Sequence, residues 1–277
     1  MPPTTPARVD AHVHVWTDDR VRYRRAAGVR ETPPERFTPE DLFVHTRPAG
    51  VTKIVLIQMS FYRFDNSYML DMMRAHPGVF SGVGIVDSNG PDPAQAMIDL
   101  KRQGVRGFRI VSGGPDWLET PGMKKMWRTG AEQKLAMCPL LVSPDALLSL
   151  DRMCMDYPET PVVIDHFARI GIDGELRDAD MRRLCALARH PRVKVKASAF
   201  YALGAKRAPY HDLGLLFRRV YEDFGPRRIM WASDCPFQVA SGHQYQPSID
   251  LIRNMRSLTE DERDWVLGRT AMETFFS

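Results

Sequence analysis

Residues 8–16 read RVDAHVHVW. Apolar and polar residues alternate here with the period of two that defines a β-strand, so Asp10, His12 and His14 are expected on one face. Two imidazoles and a carboxylate on one face of an apolar strand need partners, because buried polar groups are costly when unpaired. Two histidines this close suit joint metal ligation or joint polarisation of a substrate carbonyl.

Outward from this strand, apolar β-rich runs recur at 51–60, 80–87, 104–111, 137–144, 160–168, 192–203 and 227–237. Runs such as VTKIVLIQM (51–59) and TPVVIDHF (160–167) are nearly continuously apolar, which suits parallel strands covered by helices. Amphipathic stretches lie between them. Asn66 precedes SYMLDMMRAHPG and Asp92 precedes PAQAMIDLKRQG, with Pro93 in the first turn and Gly104 as the stop. Stretches 176–190 and 212–224 read as helices too, and a last helix starts at Thr259 with Glu262 completing a capping box. Eight strand–helix units predict an α/β fold, a single (β/α)₈ barrel of TIM type spanning 1–277. A doubly wound open sheet is the fallback. Neither GxGxxG nor GxxxxGK[ST] occurs, so nucleotide cradling has no support. Residues 28–39 read as a Pro-rich loop after the first strand.

The chain of 277 residues carries 38 basic and 34 acidic side chains, a formal charge of +4. That is too mild an excess to imply nucleic acid, and the one dense run, Arg20, Arg22, Arg24 and Arg25, reads as a solvated loop. Cys138, Cys154, Cys185 and Cys235 form no CxxC pair and read as free thiols. With no span near the roughly 18 apolar residues of a membrane helix, and no signal-peptide core in MPPTTPARVD, a cytoplasmic protein with no membrane partner is expected.

In a barrel the C-terminal ends of the strands form the active-site mouth. Four candidates for chemistry converge there: His12, His14, His166 at the end of the sixth strand, and Asp234 at the end of the eighth. Asp234 follows an apolar run and is suited to act as a general base or a metal ligand. Asp165 is expected to face away from the site, and Cys235 to pack. Arg109, between Phe108 and Ile110, is expected to point inward and hold a carboxylate. Lys196 and Ser198 share a face by the same parity, either adding charge to the pocket or filling its lower layers. Ser60 ends the second strand as a substrate hydrogen-bond donor. His45, His76, His190, His211 and His243 have no partner pattern and are assigned no role, although the last two lie in loops after strands seven and eight.

DAHVHVW (10–16), QMSFYRFDNSYML (58–70), GVRGFRI (104–110), VVIDHFARIG (162–171), VKVKASAF (193–200), MWASDCPF (230–237) and VLGRTAMETFF (266–276) together resemble the amidohydrolase superfamily. The resemblance is narrower still to its amidohydrolase-2 group, the branch with 2-pyrone-4,6-dicarboxylate lactonase and sugar lactonases. It covers nearly the whole chain and implies a distorted barrel and lactone hydrolysis. By the same resemblance Asp234 would deprotonate the attacking water, His12, His14 and His166 would line the reacting carbonyl, and Arg109 and Ser60 would hold a carboxylate.

The chain departs from the metal-dependent members, which carry a lysine or glutamate on strand four and a histidine on strand five. Here those strands offer Arg109 and MCPLLVSP (137–144). The favoured site is therefore metal-free. The alternative is one divalent zinc or manganese on His12, His14 and Asp234. The expected partner is a small acidic substrate, and a homo-oligomer is compatible with the sequence. A metal-dependent non-oxidative decarboxylase and a non-catalytic binder of an acidic metabolite are the competing functions.

Overall fold

The eight apolar runs become eight strands in one parallel sheet, ordered β1 to β8 in sequence. They are β1 (Arg8–Val13), β2 (Val51–Ile57), β3 (Phe80–Gly84), β4 (Val105–Val111), β5 (Ala136–Leu140), β6 (Val162–Ile164), β7 (Val193–Ala197) and β8 (Ile229–Trp231). The computed structural model describes residues 6–29, 32–111 and 117–277. The MPPTT start and residues 30–31 of the Pro-rich loop lie outside them. The sheet curls into a barrel whose seam is closed by backbone bonds, Asp234 N–H to His12 O at 2.9 Å and His14 N–H to Cys235 O at 2.8 Å. The expected (β/α)₈ architecture is the observed one.

Helices α1 (Pro39–Thr46), α2 (Ser67–Ala75), α3 (Pro93–Arg102), α4 (Pro121–Gln133), α5 (Ala146–Asp156), α6 (Asp178–Ala186), α7 (Gly214–Phe224) and α8 (Tyr245–Arg253) follow the successive strands. Local chemistry starts several of them. Thr38, Asp92 and Thr120 each accept a backbone N–H from the first turn, and each is followed by proline. Asn66 precedes α2 as expected but makes no cap bond. Its amide instead bridges Phe64 O, Ile85 O and Ile85 N, fixing the loop after β3.

The predicted last helix is a single path in three parts: α9 (Glu260–Asp264), entered by the Thr259–Glu262 capping box, a π-turn at Trp265–Arg269, and α10 (Thr270–Phe275). It plugs the N-terminal end of the barrel. Ala271 and Phe275 pack with the barrel interior, formed by Val9, Ala11, Val55, Ile57, Val83, Ala136, Cys138, Val163, Met230 and Ala232. Small and β-branched residues fill the closed end, so polar side chains are left to the opposite mouth.

All eight strands are trimmed relative to their apolar runs, and at three of them the lost C-terminal ends carry the site. β6, β7 and β8 stop at Ile164, Ala197 and Trp231, before the residues that end the runs. The backbone beyond them turns through left-handed conformations, at His166, Phe167, Ala168 and Arg169, at Ala199, and at Asp234. Non-glycine residues rarely adopt a positive φ, and such strain collects where a site needs it.

Candidate active site

At the mouth, β1 delivers His12 and, one residue past its end, His14; the turn after β6 delivers His166, and the turn after β8 delivers Asp234. All four are buried. His12 Nε2 lies 3.2 Å from His14 Nε2 and 3.5 Å from Asp234 Oδ1, and His14 Nε2 lies 3.4 Å from the same oxygen. His166 Nε2 lies 3.8 Å from Asp234 Oδ2, and its Nδ1 is 2.8 Å from Ser198 Oγ. His14 Nδ1 is 2.9 Å from the carbonyl oxygen of Ile57. A carbonyl only accepts, so the neutral ring carries its hydrogen on Nδ1 and turns a bare Nε2 toward the cluster.

The structure therefore brings the four catalytic candidates together. Asp10 does not join them. A register irregularity between Asp10 and Val13 breaks the strand's parity, and its carboxylate is spent on Ser233 N–H at 2.9 Å and Tyr245 O–H at 2.8 Å. Asp165 corrects the sequence reading in the other direction. It is still extended, its N–H bonded to Pro139 O, and it shares the parity of Val163, which faces the barrel interior, so alternation itself turns it inward. Its Oδ1 lies 3.3 Å from His12 Nδ1 and 2.9 Å from Lys196 Nζ.

Lys196 lies fully buried beneath His12, its Nζ 3.2 Å from Nδ1, and is not among the residues lining the cavity. Of the two positions left open for it, the lower barrel layer is the one observed. Ser60 is exposed, in a short 3₁₀ turn outside the cavity lining. Arg109 points inward, its Nη1 3.3 Å from His12 Nε2 and 3.4 Å from His14 Nε2.

Above the cluster is a cavity of about 230 Å³ lined by His14, Arg109, His166, Arg169, Tyr201 and Asp234, with apolar walls that include Leu140 and Phe237. Two of these polar groups were not anticipated. Tyr201 donates to Asp234 Oδ2 at 2.7 Å, and Arg169 supplies a second guanidinium. The signal available in the sequence was position alone: both follow a barrel strand, in DHFAR (165–169) and ASAFY (197–201). Asp234 Oδ1 has no well-aligned hydrogen-bond partner among the described residues. Cys235 packs as expected, its thiol pushed well up by burial.

Burial and the ammonium of Lys196 hold His12 well below the usual histidine value, and burial lowers His166 against the pull of Asp234. For Asp234 burial alone would raise the carboxyl. His166, with His14 and His12 beside it, holds it well below the usual carboxylate range. Asp165 is likewise held down by Lys196 and His12 against its burial. At neutral pH these directions give ionised Asp234 and Asp165 beside neutral His12 and His166, the state that general base catalysis needs.

The donors also have the type and spacing of a metal site. Ligand atoms of His12, His166 and Asp234 lie within 4.8 Å of one another. A tetrahedral zinc with bonds of about 2.0–2.1 Å would place its ligand atoms roughly 3.3 Å apart, close to the His12–His14–Asp234 distances. Charge does not match as well as size, since Arg109 and Lys196 both reach the histidine nitrogens.

The amidohydrolase family model matches residues 9–276. The chain belongs to the amidohydrolase family. This amidohydrolase is 28% identical over 250 residues to an L-fucono-1,5-lactonase of Burkholderia ambifaria, covering 85% of the chain and 82% of that protein. It is 27% identical over 231 residues to a 4-sulfomuconolactone hydrolase of Rhizobium radiobacter, covering 82% of the chain and 75% of the relative. Among solved structures it resembles that of a probable 2-pyrone-4,6-dicarboxylic acid hydrolase from Acinetobacter baumannii with citric acid bound. The TM-score is 0.83 at 24% identity, with 98% of this chain and 99% of the other covered. No helix among the described residues is long and apolar enough to cross a membrane.

Proposed function

We propose that this amidohydrolase is a lactonase that opens a small lactone bearing an anionic group, without a metal. The observation that carries the reading is the asymmetry of Asp234: Oδ2 is held by Tyr201, while Oδ1, buried and free of a well-aligned partner, faces the mouth among the histidines. A water seated there meets an ionised base.

Asp234 takes one proton from the water, whose oxygen bonds to the lactone carbonyl carbon. The carbonyl electron pair moves onto its oxygen, facing Arg109 and an Nε2–H of His12 or His166. Removing one such donor typically costs about 10²–10³ in rate. When the tetrahedral adduct collapses, the ring C–O bond breaks and the proton on Asp234 passes to the leaving alkoxide, giving the hydroxy acid.

Two guanidiniums on one cavity favour an anionic substrate, and about 230 Å³ favours a single ring over a fused one. The relatives' names point the same way, because both are lactone-opening enzymes and one acts on a sulfonated lactone. Decarboxylation has less behind it: no observation in the cluster favours it over ring opening. The test is a panel of neutral and carboxylated five- and six-membered lactones followed by pH-stat, with Asp234→Asn as the control. Hydrolysis of a carboxylated lactone that disappears in the variant is expected. Activity retained in D234N, or carbon dioxide as the product, overturns the reading.

A further inference from the structure

We propose that Arg109 and Lys196 are resident cations that stand in the electrostatic place of a divalent metal and keep the His12–His14–Asp234 cluster from binding one. The proposal rests on the metal-free reading above and gives it a cause in this chain's own residues. Two histidines and a carboxylate at the spacing of a zinc site invite a cation, so an apolar surrounding would leave the cluster a metal trap.

Arg109 acts on the cavity side. A guanidinium only donates, and Nη1 lies within hydrogen-bond reach of both Nε2 atoms at 3.3 and 3.4 Å. Whichever nitrogen receives that hydrogen bond loses the lone pair a metal would need. Lys196 acts from below. Its Nζ is 3.2 Å from His12 Nδ1 and 2.9 Å from Asp165 Oδ1, all three side chains being buried. An ammonium also only donates, and a neutral ring that accepts at Nδ1 carries its hydrogen on Nε2, which again closes that nitrogen to a metal.

Charge acts in the same sense. Lys196 is paired with Asp165 below the cluster and Arg109 reaches the histidine nitrogens from the cavity, so a divalent ion would enter against positive charge on both sides in a medium that screens poorly. Neither cation could be exchanged for the other's role. Among the described residues, Arg109 is the cation that reaches both imidazoles from the cavity, and Lys196 the one that reaches the far side of His12.

The experiment is equilibrium dialysis of the apoprotein against buffered zinc, read by elemental analysis, with the visible absorption of added cobalt(II) reporting coordination geometry. Arg109→Met is expected to tighten zinc binding by at least about tenfold over wild type, on the scale by which neighbours of ligands tune affinity. Arg109 sits half-exposed at the mouth, so this variant tests the idea even where changes beneath His12 cost stability. Lys196→Met combined with Asp165→Asn, which removes the buried pair together, is expected to tighten binding too. Adding Asp234→Asn to R109M should abolish the gain, placing the ion at the cluster. Wild type that binds one zinc as tightly as R109M overturns the proposal, and so does R109M that binds no better than wild type. Because the readout is metal affinity and not turnover, failure of lactone hydrolysis leaves this result standing, and the reverse also holds.

Discussion

The Tyr201 hydroxyl donates to Oδ2 of Asp234 at 2.7 Å, so the two oxygens of one buried carboxylate face different surroundings. The phenol is half-buried, and Asp234 pushes its ionisation further up than burial alone. It therefore remains a donor throughout the accessible pH range. Holding one oxygen fixes the plane of the carboxylate and aims the other. Tyr201 is in this sense a positioning residue for Asp234.

Replacing it with phenylalanine keeps the ring against Phe237 and His243 and removes only the hydroxyl. A hydrogen bond to a charged group is worth about 1.5–3 kcal/mol, so kcat should fall roughly 10- to 100-fold in Y201F. Folding, followed by circular dichroism, should change little. Steady-state kinetics on the best lactone decide it: a loss smaller than about twofold would mean that Asp234 is aimed by its backbone alone.

Removing the base itself should cost more. General base catalysis typically contributes about 10²–10⁴ in rate, and Asp234→Asn should lose a factor in that range from kcat/KM. The double variant with Y201F should lose hardly more than D234N, because the tyrosine acts through the carboxylate. Full additivity of the two losses would give Tyr201 a role of its own in the reaction.

The two guanidiniums should separate kinetically. Arg109 touches the histidine nitrogens and, in the proposed mechanism, faces the developing oxyanion, whereas Arg169 lines the cavity with no hydrogen bond to the cluster's histidines. Arg169→Gln should mainly raise KM for an anionic lactone, by about tenfold or more, and leave a neutral analogue little affected. Arg109→Gln should lower kcat as well. If R169Q weakens neutral and anionic lactones equally, Arg169 is not an anion contact.

Much of this was written in the sequence, for reasons that also explain what was not. Continuous apolar runs such as 51–59 announce parallel strands under helices, and eight of them leave few folds open. The histidines at the end of β1 mark a candidate site because two adjacent imidazoles on an apolar run need partners. Strand periodicity, however, stops carrying information where strands stop. Asp165 keeps the inward parity of Val163, and it is His166 that leaves the alternation, where the left-handed backbone begins. Asp10 shares the parity of the histidines but is diverted by the irregularity that follows it in β1. Tyr201 and Arg169 belong to the same turns, whose conformations follow from contacts distant in sequence.

The pH profile follows from the direction of the shifts. Asp234 lies below the ordinary carboxylate value, so the base is ionised above about pH 4 and is lost only as pH falls through its lower folded value. His12 and His166 lie below the ordinary histidine value of about 6.5, so they stay neutral at pH 7 and become charged only as pH falls well past it. A plot of kcat/KM should be level between about pH 6.5 and 8 and should lose activity only on the acid side of that range. An acid limb centred near pH 7 would show an imidazole titrating with a raised value and would contradict the neutral cluster.

Stability gives the last test, on the pair beneath the site. Lys196 and Asp165 are both buried and 2.9 Å apart. Removing one partner of a buried pair strands the other charge and typically costs about 3–5 kcal/mol, whereas removing both is often nearly neutral. Lys196→Met alone should therefore lower Tm by roughly 10 °C, at about 2–4 °C per kcal/mol for a chain of this size. K196M with D165N should recover most of that loss, because no unpaired charge remains. Thermal denaturation of the two variants beside wild type compares them directly. If the double variant is as unstable as the single one, Lys196 stabilises the barrel through the contact of its ammonium with the Phe275 ring, and not by charge compensation with Asp165.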